Sequence, residues 1–306
     1  MLACPICGGL SPLRFRARGV PILGCGRCGH RFAGLTPPAE HVAATYGDDY
    51  FTGGGDGYPD YLADGHLVTR HARPYAAALA RRLREDRQRE GSLQESRAPR
   101  VLDVGAAAGF TLRAFAEAGF DARGLEPNPR MAAHARDRLG LTVEAVPLED
   151  YADAEATFDA VTMIQVLPHL YDLPAALRRA AAATRPGGYW LIETWDRASL
   201  TARLAGERWH EYSPPSVLHY FSRRSLRWLC AGHGFDAVAA GRPRKRISVD
   251  HARSLLAHKR SLLAKPLAWL PCGLTLPYPG NDLFWMLFRK RKPGLAAGSL
   301  PRPAAA

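Results

Sequence analysis

From Arg100 onward, short apolar runs alternate with amphipathic stretches, and the alternation predicts strands and helices in turn. "RVLDVG" reads as a buried strand, "TLRAFAEAG" as a helix closed by Gly119, and "DARGLEP" as a second strand. "PRMAAHARDRLG" predicts a helix closed by Gly140, "TVEAVPL" a third strand and "FDAVTMIQVL" a fourth. "LPAALRRAAAATR" then predicts a helix and "GYWLIETW" a fifth strand. Short glycine-capped joints between such elements argue a parallel α/β sheet with helices on both faces. Further on, "SRRSLRWLCAGHGF" predicts a helix with Ser222 as N-cap, and "FDAVAAG" and "DLFWMLFRK" add two strands.

The rest of the chain patterns differently. Residues 35–61 read as a loop rich in proline and aromatic side chains, followed by a helical stretch, "LVTRHARPYAAALARRLRE". "DRQREGSLQESRAP" reads as an exposed connection. The stretch 242–280, basic and then apolar, reads as an insertion packed on the sheet, and the low-complexity tail "PGLAAGSLPRPAAA" as disordered. The expected organisation is a small head over 1–34, a linking segment over 35–99, a core over 100–292 carrying that insertion, and a tail over 293–306.

Composition changes this picture little. A chain of 306 residues with 47% hydrophobic and 23% charged positions can bury a full core. No apolar run approaches the roughly 18 residues of a membrane span, and "MLACPICGG" has no signal-peptide pattern, so a cytoplasmic protein is expected. The net charge of +12 admits nucleic acid, a membrane surface or an anionic substrate, but arginine is scattered. Only "RPRKR" and "RKRK" cluster, and such runs are most often solvated surface.

Cysteine usage is more informative. Cys4, Cys7, Cys25 and Cys28 form C-x2-C-x17-C-x2-C, the spacing of a four-thiolate zinc site. Two intervening residues let a tight turn aim both sulfurs at one cation, with Gly8 and Gly29 relieving the turn. Four thiolates close the tetrahedron, so the expected zinc is structural. Cys230 and Cys272 sit among apolar neighbours and read as core.

The turn after the first strand, "GAAAGF", tests two nucleotide loops and fails both. A dinucleotide fingerprint needs glycine at 105, 107 and 110, where the chain has Gly105, Ala107 and Phe110; a P-loop needs a Gly-Lys-Ser/Thr run that is missing. S-adenosylmethionine carries no phosphate, so small side chains suffice to clear it. Its ribose wants an acid at the end of the second strand, and Glu126 in "GLEPNP" stands 23 residues after Asp103.

The set "VLDVGAAAG…GLEPNP…FDAVTMIQVLPHL…TRPGGYWLIETW" resembles the class I S-adenosylmethionine-dependent methyltransferases over roughly residues 100–240. That resemblance implies a Rossmann-like, doubly wound, mostly parallel sheet, here with a small N-terminal zinc ribbon. Asp103, Gly105 and Gly109 match the family's D-x-G-x-G-x-G, with Ala107 replacing its middle glycine. The resemblance further implies cofactor contacts from Glu126, from Leu148 and Glu149 in "AVPLEDY", and from Gln165. The ribbon, "YGDDYF", "GYPDY" and "ERWHEYSPPSVLHYFS" together resemble zinc-ribbon methyltransferases of surface-polysaccharide and specialised-metabolite pathways. Ser216 and Val217 replace the Glu-His pair of that last segment.

Methyl transfer needs an oriented acceptor and, for a protonated acceptor, a base. His169, His219 and Tyr220 are the candidate catalytic residues, with His210 behind them. Tyr46, Tyr50 and Phe51 read either as an aromatic lid beside the sulfonium or as an apolar anchor for the ribbon. The expected partner is a small-molecule acceptor such as a nucleotide sugar or glycan intermediate. Two alternatives stand beside it: an RNA methyltransferase, against which the ribbon's mere five arginines in 31 residues speak, and a degenerate binder that keeps the fold.

Overall fold

The computed structural model describes residues 1–38, 40–53, 58, 60–91, 97–152, 156–258, 269, 271, 274–278 and 281–293. The tail beyond 293 and Cys272 lie outside them, as does much of the expected 242–280 insertion. Two compact units emerge: Met1–His41 with Pro147–Pro243 and Gly280–Ala306, and Val42–Val146 with Arg244–Pro279.

In chain order, the first unit opens with β1 (Leu2–Ala3), β2 (Leu10–Ser11), β3 (Leu13–Ala17), β4 (Val20–Gly24) and β5 (Arg31–Ala33). The second unit follows with α1 (His41–Thr45), α2 (Asp48–Thr52), α3 (Gly65–Arg89), β6 (Arg100–Val104), α4 (Phe110–Glu117), β7 (Asp121–Leu125), α5 (Pro129–Leu139) and β8 (Thr142–Glu144). The chain returns to the first unit through β9 (Phe158–Ile164), α6 (Leu173–Ala183), β10 (Thr184–Trp195), α7 (Leu200–Ala205), β11 (His219–Tyr220), α8 (Arg223–Gly232) and β12 (Phe235–Gly241). Then β13 (Arg246–Ser248), α9 (Val249–His258) and β14 (Thr275–Pro277) belong to the second, and β15 (Leu283–Lys290) to the first.

The strands form a mostly parallel seven-stranded sheet, as the alternating pattern predicts. The second unit holds β6, β7 and β8 in that order, all parallel. The first holds the order β12-β15-β10-β9, with β9 and β10 parallel and β15 antiparallel to both neighbours. Strands covered on two faces read as continuous apolar runs, and β9 is buried at six of its seven positions. Trp190 of β10 stacks on Phe235 of β12 with ring centroids 3.8 Å apart and gives its indole N–H to Thr184 Oγ1 at 2.9 Å.

Local chemistry sets the helix ends. Asn128 caps α5 by accepting from the Met131 amide, Pro129 fills the first turn, and Gly140 closes it at φ 65°. Ser222 and Ser225 form a reciprocal capping box on α8.

Five expectations change. α3 runs on to Arg89, so the first four residues of the expected exposed connection are helical and Asp86 is buried. Residues 35–61 contain α1 and α2, the latter with Asp48 and Asp49 in its first turn, where negative charge suits the helix dipole. The third strand stops at Glu144, and Pro147, which lacks an N–H, opens a 3₁₀ turn at Leu148–Asp150. The fifth begins at Thr184, with a bulge across the Pro-Gly-Gly turn. The described part of 242–280 is fixed to Asp64 ahead of α3: Ser248 Oγ donates to Oδ2 at 3.2 Å and His251 Nδ1 lies 3.5 Å away. Among the described residues, no helix is long and apolar enough to cross a membrane.

Candidate cofactor site, histidine loop and cysteine cluster

In the second unit the β6–α4 turn and the end of β7 converge on one carboxylate. Glu126 is 4% exposed, and its Oε2 accepts from the Ala107 amide while Oε1 accepts from the Asn128 amide, both at 2.8 Å. Each oxygen keeps a second lone pair for another donor. Burial pushes the Glu126 carboxyl up to about 7 against the pull of the two amides.

The turn geometry explains the missing glycine. Gly105, Ala107 and Gly109 all have positive φ, at 67°, 47° and 88°. Only one of the three carries a side chain, a methyl group, and it pays the left-handed penalty of about 1–2 kcal/mol. At Gly109 a Cβ would meet Ala135 Cβ and Leu141 Cδ1 at 2.8 Å, so glycine is required there by space as well. Asp103, on β6 ahead of the turn, is 1% exposed.

Aromatic side chains pack on this same turn. Phe51, Tyr61, Ala107, Ala108, Phe110 and Met131 form one buried cluster, flanked by Tyr50 and Tyr58. Asn128, which sequence reasoning passed over, gives its side-chain amide to the Tyr46 carbonyl (3.1 Å) and Asp48 Oδ1 (3.2 Å). The Asn-Pro pair opening a helix in "GLEPNP" was the available signal. Burial drives the Tyr61 hydroxyl well above its ordinary range, with Tyr58, Glu126 and Asp103 adding to the shift.

Leu148, Glu149 and Gln165 belong to the first unit. Leu148 is 1% exposed. Glu149 Oε1 accepts from the Tyr171 amide (3.0 Å) ahead of α6, and burial raises its carboxyl to about 7. That carboxylate therefore has a structural partner of its own. Gln165 follows β9 with φ 63°, one of three non-glycine residues in the left-handed region among the described residues, and gives its amide to Glu193 Oε1 at 2.8 Å. Strain of this kind concentrates where function fixes the backbone. Glu193, fully buried on β10, was not singled out from the sequence.

The candidate bases divide sharply. His169 stands at the end of the 3₁₀ turn Leu167–His169, and its Nδ1 donates to the Ser216 carbonyl at 2.8 Å. A carbonyl only accepts, so the proton sits on Nδ1 and the lone pair on Nε2. Burial lowers the His169 pKa, which keeps the ring neutral. His219 is different: Nε2 donates to the Leu170 carbonyl (3.0 Å), and Nδ1 meets His30 Nε2 at 3.4 Å. Both nitrogens are engaged and the ring is 7% exposed, with burial pushing it down to about 4. Tyr220 is 1% exposed and donates to the Val217 carbonyl at 2.8 Å, its hydroxyl driven up by burial. Both nitrogens of His219 and the hydroxyl of Tyr220 thus already have partners within the protein. His210 lies 3.4 Å from Glu211 and 3.7 Å from Asp282.

The four N-terminal cysteines come together. Cys4 and Cys28 sulfurs are 3.6 Å apart, Cys7 and Cys25 sulfurs 3.5 Å, and all four lie within 4.8 Å of one another with none in a disulfide. A zinc tetrahedron with bonds of about 2.3 Å has sulfur–sulfur edges of roughly 3.8 Å, so the donor set fits that ion. Gly8 and Gly29 take φ 68° and 78°, as the knuckle turns require. Trp228 of α8 packs against Cys4, Cys25 and Cys28. Beyond the knuckles, β11 completes the β3-β4-β5 sheet, pairing His219 with Phe32, a contribution from the far end of the sequence that local patterning does not reveal.

A family described as a methyltransferase domain matches residues 69–240. A ubiquinone biosynthesis O-methyltransferase of Methylobacterium nodulans is 35% identical over 115 residues, 34% of this chain and 44% of that protein. A protein of the same name from Alkalilimnicola ehrlichii is 29% identical over 179 residues, 52% of this chain and 72% of that one. The chain spans about half the length of the first curated relatives it matches. Among solved structures, the 1,6-didemethyltoxoflavin-N1-methyltransferase of Burkholderia thailandensis, with S-adenosylhomocysteine bound, shares the fold at TM-score 0.52 and 19% identity, covering 92% of this chain and 99% of that one. The matched domain spans more than half of the sequence, and the chain belongs to this methyltransferase-domain family.

Proposed function

We propose that this protein transfers a methyl group from S-adenosylmethionine to a hydroxyl of a small-molecule acceptor. The observation that carries the reading is Glu126, a buried carboxylate aimed by two backbone amides and left with lone pairs for a ribose diol. Asp103, Gly105, Ala107 and Gly109 are the residues proposed to clear the cofactor's amino-acid end, and the family resemblance adds Leu148, Glu149 and Gln165 as proposed cofactor contacts. S-adenosylmethionine supplies the electrophilic methyl group. The chain orients the acceptor, and His169 would take the hydroxyl proton at Nε2 as the acceptor oxygen gains the methyl carbon and that carbon's bond to sulfur breaks, with S-adenosylhomocysteine as the leaving group. His169 is the assigned base because the Ser216 carbonyl holds its proton on Nδ1, which makes Nε2 the basic nitrogen.

The finer reading is a nucleotide sugar or glycan intermediate as acceptor, supported by the ribbon and the "PPSVLHYFS" segment. A structural zinc ion on Cys4, Cys7, Cys25 and Cys28 belongs to the same proposal, as does a cytoplasmic setting, which keeps those thiols reduced. The test is transfer of labelled methyl to a panel of nucleotide sugars, with phenols as a second panel. His169→Asn should lower turnover by about 10²–10⁴-fold with S-adenosylmethionine affinity unchanged. Undiminished turnover in that variant would remove His169 from the role.

A further inference from the structure

The knuckle that holds Cys25 and Cys28 runs straight into His30 and β5, and two hydrogen-bonded routes lead from there to the loop carrying His169. One is backbone: the Ala33 amide donates to the Leu218 carbonyl, and the Leu218 amide to the Pro168 carbonyl, each at 2.8 Å. The other is side chain: His30 Nε2 meets His219 Nδ1 at 3.4 Å, and His219 Nε2 donates to the Leu170 carbonyl at 3.0 Å. Pro168 and Leu170 flank His169 on either side. Ser216, whose carbonyl receives the His169 Nδ1 proton, lies two residues before Leu218 in the same segment. The Ser216, Pro168 and Leu170 carbonyls around the ring are therefore all tied to the ribbon through this segment.

The burial of this relay argues that its polarity matters. His30 is fully buried and His219 is 7% exposed, with Phe221 packed 4.9 Å from the His30 ring. Two apolar residues of similar size would fill that space without the cost of burying imidazoles. The imidazoles do what apolar side chains cannot, because they satisfy the Leu170 carbonyl and lock one tautomer of each ring. Arg197 holds the knuckle from the other side by donating to the Gly29 carbonyl. Moving the ribbon would leave the Leu170 and Pro168 carbonyls unpaired in a dry interior, so the loop follows the ribbon.

From this we infer that the metal ribbon is a positioning element for the histidine loop, with His30 and His219 as positioning residues that set the orientation and tautomer of His169. The inference rests on the proposed role of His169 as base, but its test does not. In protein with ¹⁵N-labelled histidine at neutral pH, His169 should give the signals of a single form, protonated at Nδ1 and unprotonated at Nε2. His30→Leu, verified to bind zinc and S-adenosylmethionine, should shift His169 toward the average of two tautomers. His30→Gln, whose amide can donate to His219 Nδ1, should restore the single form. Unchanged His169 signals in zinc-loaded His30→Leu would overturn the inference.

If His30→Leu fails to fold, His219→Leu carries the same expectation. Chelation of zinc from the unmodified protein provides a third reading: His169 must lose its single form, and retention of that form contradicts the inference. Failure of the base assignment is read separately, as normal methyl transfer by His169→Asn, and would leave the tautomer result standing.

Discussion

At the scale of single residues, the chemistry turns on whether Glu126 is ionised. A carboxylate accepts from both hydroxyls of a ribose, whereas a carboxylic acid has a proton to place. With its carboxyl raised to about 7 by burial, Glu126 gains its charge as pH rises through that value. Affinity for S-adenosylmethionine should therefore increase between pH 6 and 8, and Glu126→Gln should flatten the dependence; calorimetric titration across that range checks both. Ala107 carries a second prediction. Its φ of 47° costs an alanine about 1–2 kcal/mol, which glycine avoids at a conformational cost of roughly 0.5–1 kcal/mol in the unfolded chain. Ala107→Gly should leave stability level or raise it by up to about 1 kcal/mol, read by urea denaturation.

At the scale of elements, the turns and caps were the most legible parts of the sequence. Gly109 and Gly140 each do what a local pattern demands, and Gly109 is also pinned by Ala135 and Leu141. Gly109→Ala combines a disfavoured φ with overpacking and should cost about 2–4 kcal/mol, visible as a lowered urea midpoint. The cysteine spacing was equally readable, since two short knuckles fix their sulfurs locally. One zinc per chain is expected by elemental analysis, and Cys25→Ser should lose most of it. What spacing could not reveal was long-range pairing. That β11 extends the ribbon, that His219 faces His30, and that Glu149 holds the start of α6 all depend on residues tens to hundreds of positions apart. Candidate bases picked by residue type look alike in the sequence, whereas their partners differ: the His169 Nδ1 proton goes to the Ser216 carbonyl, His219 donates to the Leu170 carbonyl and Tyr220 to the Val217 carbonyl.

At the scale of the whole molecule, buried neutral histidines tie stability to pH. His219 is pushed from 6.5 down to about 4, so the unfolded chain takes up its proton first. The contribution is fully present above pH 6.5 and is lost as pH falls toward 4, amounting to about 3 kcal/mol at most. Glu126 and Glu149 act in the opposite sense, because their raised values favour the folded state at acid pH and oppose it above. A comparison isolates the histidine: relative to His219→Gln, the unmodified protein should lose stability between pH 6.5 and 4, measured by urea unfolding at several pH values. Parallel curves for the two proteins would contradict it.

The central claim is that the turn at 105–109 and Glu126 form an S-adenosylmethionine site, and calorimetric titration of zinc-loaded protein with that cofactor tests it most directly. Micromolar binding is expected, weakened by roughly 100-fold or more in Glu126→Ala, the loss of two charge-assisted hydrogen bonds. Absence of binding to the folded protein, or equal binding by Glu126→Ala, would contradict the account.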